Sequence, residues 1–117
     1  MDICDHEREH EEALKRLRAT ALSEEDLAIM CNLFKLLGDP SRMKIILALT
    51  EGELCVYHIV EAVGGNQSAV SHQLRVLKDN RLVKSRRDGK NIVYSFYDEH
   101  VSRIIGIALE HVVCEKG

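Results

Sequence analysis

Four side chains near the end of this chain, Asp98, His100, His111 and Cys114, are of the types that hold a borderline-soft divalent cation. A carboxylate, two imidazoles and a thiolate together make a tetrahedral donor set. Their spacing decides how they can be used. His100 and His111 are eleven residues apart; at 1.5 Å and 100° per residue they share one stripe of a helix but sit roughly 16 Å apart along its axis. One helix cannot bring them to one ion. Cys114 follows His111 by one turn, about 60° around the helix, so those two can share a metal. Two copies of the helix packed antiparallel set Asp98 and His100 of one copy beside His111 and Cys114 of the other. The thiolate favours zinc or cadmium over harder ions.

A second group pairs Cys55 and His58, at i and i+3, with Cys4, His6 and His10 near the start of the chain. Four cysteines and six histidines, with an acidic, polar N-terminus unlike a signal peptide, point to reduced thiols and metal ligands rather than disulfides. A cytoplasmic protein is expected, with no membrane span, because no apolar run approaches the ~20 residues a bilayer needs. Cys31, in an apolar run, reads as core.

The net charge of −3 hides an asymmetry. Residues 66–95 hold seven bases against two acids, a balance of +5, so the remainder carries −8. Residues 1–12 contain six acids and one base. One segment is built to approach a polyanion and another to approach cations. Within the basic segment, Gln67, Ser68, Ser71, His72 and Arg75 occupy polar positions of a helix whose Ala69, Val70, Leu74 and Leu77 serve the core. Short hydrogen-bonding side chains at a helix N-terminus reach base edges in the major groove. Arg86, Arg87 and Lys90 follow on a hairpin and would lie along the adjacent phosphates.

These residues need a frame, and the hydrophobic pattern supplies one domain of mainly helical class. Helical spacing is expected over residues 9–21, after a flexible acidic leader (1–12). A second helix starts at the Ser23 cap and ends at Gly38-Asp39-Pro40, and a third, rich in apolar residues, follows Pro40. Residues 55–80 read as a helix-turn-helix: a short helix over 54–63, a break at Gly64-Gly65, and a helix from Gln67 capped by Asn66. Residues 81–97 form a wing, two strands flanking Asp88-Gly89. Residues 98–115 form an amphipathic helix on which Val101, Ile104, Ile105, Ala108, Leu109, Val112 and Val113 recur, a dimerisation face.

Glu53-Leu54-Cys55-Val56, the stretch from Gln67 to Leu77, and Tyr97-Asp98-Glu99-His100 together resemble the ArsR/SmtB metal-sensing repressors, over residues 27–114. The resemblance implies a winged helix-turn-helix homodimer, joined through its N- and C-terminal helices. Such a dimer binds operator DNA when metal-free and releases it on metal binding. It implies the same terminal-helix site, with Cys114 as a departure in the last position. It also implies a backbone carbonyl near Arg81 as acceptor for the second ring N–H of His111. Similar repressors add a leader cysteine or histidine to the cysteine of the Glu-Leu-Cys-Val motif. Here Tyr57 replaces a second cysteine and His58 an aspartate, which disfavours a trithiolate arsenic site and keeps a mixed Cys/His site open.

Zinc is the first expectation for the cofactor, cadmium or lead next, cobalt or nickel after. No Walker loop, G-x-S-x-G or H-E-x-x-H motif is present, so an enzyme is not expected. Two other readings are a repressor of the same fold with a non-metal inducer, and a metal-binding or redox protein that uses the fold without DNA.

Overall fold

A computed structural model describes residues 2–116, with side chains described over 6–114. The chain divides into two compact units, residues 1–32 and 33–117. The first holds α1 (Asp2–Ala19) and most of α2 (Glu24–Leu37). α1 begins seven residues before the periodic pattern does. Its early acids lie at the positive end of the helix dipole, where they favour helix rather than oppose it. Ser23 caps α2 as expected, its hydroxyl accepting from the Asp26 amide at 3.1 Å.

The second unit carries the core. α3 (Pro40–Ala48) starts at an Asp39 cap that accepts from the Arg42 amide at 3.1 Å. It buries Ile45 and Ile46 against Ile59 of α4 (Val56–Val63) and Leu74 and Leu77 of α5 (Gln67–Asp79). Leu82, Val83, Val101 and Ile105 close the same cluster. Leu47, on the same apolar-rich helix, is exposed.

The sheet differs from expectation. Leu54–Cys55 is not the start of a helix but a two-residue strand, β1, followed directly by α4. It pairs antiparallel with β3 (Asn91–Phe96), which pairs with β2 (Val83–Asp88), giving the order β1-β3-β2. The wing is thus a three-stranded sheet tied to the body. Asp88 faces Asn91 across a two-residue turn of Gly89 and Lys90, one place later than Asp88-Gly89. Gly89 has φ 64°, the conformation that tight hairpin turns reserve for glycine.

Among the described residues no helix is long and apolar enough to cross a membrane.

Candidate nucleic-acid interface and metal centre

α5 presents its polar face as the sequence predicts. Val70, Leu74 and Leu77 are buried while Gln67, Ser68, Ser71, His72 and Arg75 are exposed; Ala69, assigned to the core, is exposed as well. Asn66 fixes the helix start by accepting from the Ala69 amide at 2.8 Å. The far end closes with the Leu82 amide on the Leu77 carbonyl at 2.9 Å and the Arg81 amide on Lys78 at 3.1 Å, the pattern of a Schellman cap. Arg81 takes the left-handed position there, with φ 59°. A brace that sequence reasoning missed holds the helix from the side: Arg42 Nε donates to Gln73 Oε1 at 2.8 Å.

The three wing cations do not act as one row. Adjacent strand residues point to opposite faces. Arg86 therefore shares a face with Val93 and Cys55, which lie beside it in register, while Arg87 projects from the other face and Lys90 sits at the tip. Arg86 is also occupied. Its Nε donates to Glu53 Oε2 at 3.1 Å and its Nη2 to Glu53 Oε1. The Arg86 hydrogen bonds hold the Glu53 carboxyl below its ordinary value, and Glu53 in turn raises Arg86. Glu53 stood in the quoted Glu-Leu-Cys-Val motif, but its partner is 33 residues away; only the strand register joins them.

On α6 (Glu99–Lys116) the predicted ligands form two pairs. At the start, His100 Nδ1 lies 3.3 Å from Asp98 Oδ2. Asp98 Oδ1 accepts from the Val101 amide at 3.1 Å, so Asp98 also caps the helix. That amide is the main cause that lowers the Asp98 carboxyl from 3.8, with His100 adding to it. At the far end, His111 and Cys114 are both exposed, one turn apart. The two pairs stay roughly 16 Å apart along the axis. Among the described residues no three His, Cys, Asp or Glu side chains come together to hold a metal ion.

The apolar face of α6 is split. Val101 and Ile105 are buried in the chain's own core, whereas Ile104, Leu109, Val112 and Val113 are exposed. Ile107, absent from the predicted face, is 64% exposed. At about 100° per residue, His100, Ile104, Ile107, His111 and Cys114 fall within roughly 40° of a single stripe. That stripe is apolar in the middle and carries donors at both ends.

At the second cluster, Cys55 Sγ lies 3.3 Å from His58 Nδ1. His6 and His10 are exposed on α1 in the first unit, and the side chain of Cys4 lies outside the described residues. Cys31 is exposed, not buried, because the apolar run around it in α2 leaves Leu27, Ile29, Met30 and Phe34 about half exposed too.

Residues 39–85 match the family model described as a bacterial regulatory protein, arsR family. A transcriptional repressor SmtB homolog of Synechocystis is 38% identical over 96% of this chain and 85% of its own length. A cadmium resistance transcriptional regulatory protein CadC homolog of Staphylococcus aureus is 34% identical over 94% and 91%. The solution structure of a homodimeric winged helix-turn-helix DNA-binding domain from Mycobacterium bovis superposes with a TM-score of 0.69. It is 31% identical, covering 83% of this chain and 91% of that one.

Proposed function

The chain belongs to the arsR family of bacterial regulatory proteins, and on that premise we propose that it is a metal-responsive transcriptional repressor. It acts as a homodimer, reads operator DNA with Gln67, Ser68, Ser71, His72 and Arg75, and steadies itself on the phosphates through the wing. Zinc is the first choice of inducer, cadmium or lead next. The homodimeric DNA-binding domain and the repressor and cadmium-resistance proteins among its relatives support this reading. The observation that carries the metal part is the exposed α6 stripe, with His100 at one end and His111 and Cys114 at the other.

A bound divalent cation would supply a cross-link of fixed length between the α6 helices of two subunits. The residues prepare that link. Asp98 Oδ2 lies 3.3 Å from His100 Nδ1, so a carboxylate and an imidazole stand side by side at the start of α6 as two donors from one subunit. His111 and Cys114, one turn apart, offer an imidazole and a thiolate from the other subunit, and Ile104 and Ile107 fill the space between. Two recognition helices must sit about one DNA turn, ~34 Å, apart to fill two half-sites. A shift in α6 packing that changes this spacing releases the DNA.

The test is zinc-driven release of a bound operator duplex. His111→Ala should bind DNA as the parent does and keep it when zinc is added. Normal release by that variant would remove α6 from the switch, and no release from the parent protein would favour a non-metal inducer. A second metal reading rests on the Cys55–His58 contact of 3.3 Å; there Cys55→Ser, not His111→Ala, abolishes the response.

A further inference from the structure

The basic balance of residues 66–95 suggests that every wing cation serves DNA, but the sheet register divides them. Lys84, Arg86 and Asp88 of β2 share one face, and Glu53 leans onto that face from beside β1. Two positive and two negative charges there cancel. Arg87, on the other face, and Lys90, at the tip, have no such balance. Arg86 exchanging Glu53 for a phosphate would gain no extra ion pair. It would also leave the Glu53 carboxylate unpaired beside a polyanion, a like-charge contact that opposes binding.

We propose that Glu53 is a positioning residue that withholds Arg86 from DNA, so that the wing engages phosphate through Arg87 and Lys90 alone. The inference rests on the DNA-binding reading above. Arg86 then acts as a strut: its paired guanidinium ties β2 to the chain entering β1, next to Cys55.

The test measures binding of a mixed-sequence duplex of about 30 base pairs across a series of salt concentrations, because each phosphate contact contributes about 0.9 to the slope of log affinity against log salt. Arg86→Ala should leave the slope of the parent protein unchanged. Glu53→Gln should steepen it by about 0.9 per bound subunit as Arg86 is released to the backbone, and Glu53→Gln/Arg86→Ala should restore the parent slope. Arg87→Ala is the control and should flatten the slope by about 0.9 per subunit. If Arg87→Ala flattens it and Arg86→Ala does so equally, Arg86 contacts phosphate and the inference is wrong while the DNA reading stands. If neither Arg87→Ala nor Glu53→Gln moves the slope, the wing does not lie on DNA and the inference fails, whereas a parent protein with no salt-dependent binding at all would overturn the DNA reading itself.

Discussion

Asp98 and His100 meet in the first turn of α6, with Asp98 Oδ2 3.3 Å from His100 Nδ1 while Oδ1 of the same carboxylate accepts from the Val101 amide. One side chain therefore caps the helix and orients a candidate ligand. Asn in its place keeps an acceptor for the Val101 amide but loses the charge. Asp98→Asn should retain most of the thermal stability and weaken zinc binding; Asp98→Ala should lose both. Thermal melts with and without zinc read the two effects apart.

The same carboxyl sets a pH dependence with a definite sign. Its folded value lies below 3.8, chiefly because of the Val101 amide. Its stabilising effect is thus fully present above the unfolded value and is lost as pH falls through the lower, folded one. The difference in melting temperature between the parent protein and Asp98→Asn should be constant from about pH 5 to 8 and shrink in stronger acid. A difference that changed between pH 6 and 8 would implicate His100 instead.

Asn66 is the hinge between the Gly64-Gly65 turn and the recognition helix. Asn66→Ala should cost about 1 kcal/mol, the usual worth of such a cap, and weaken DNA binding by fraying the turn that carries Gln67 and Ser68. Chemical denaturation gives the first quantity and duplex titration the second. At the other end of α5, Arg81 holds φ 59° without being glycine. Arg81→Gly should raise stability by up to about 1 kcal/mol, and a loss of stability would mean that the arginine side chain makes a contact worth more than the strain.

Ile107 sits at the centre of the exposed α6 stripe. Ile107→Asp should leave each subunit folded, since the side chain lies outside the core, and shift the proposed dimer toward monomer by at least tenfold, about 1.4 kcal/mol. Sedimentation against concentration, with circular dichroism as the folding check, measures it. An unchanged dimer would place the contact elsewhere, with the exposed apolar residues of α2 as the next surface.

Local rules made much of this molecule legible. Asn66, Ser23 and the glycine at the hairpin announce element ends because caps and tight turns are decided by a few adjacent residues. β1 escaped because two residues carry no periodicity; its strand character comes from Val93 and Tyr94, far along the chain. The Glu53–Arg86 pair was hidden for the same reason. Cys31 was assigned to the core because an apolar stripe looks the same whether it faces its own domain or another molecule. Val101 and Ile105 fell on the expected face of α6, yet they serve the chain's own core, while Ile107, outside the expected pattern, completes the exposed one. The residue types and spacing at 98, 100, 111 and 114 stand in the sequence itself. Their division into two pairs that one chain does not join follows from the straightness of a helix.

A metal switch between the terminal helices is tested most directly by a cobalt(II) titration of the reduced protein, followed by visible absorption and repeated with Cys114→Ser and Cys55→Ser. Tetrahedral ligand-field bands with a sulfur charge-transfer band are expected, saturating with metal and lost in Cys114→Ser but not in Cys55→Ser. Loss of that band only in Cys55→Ser, or no tetrahedral bands at all, would contradict a metal switch between the terminal helices.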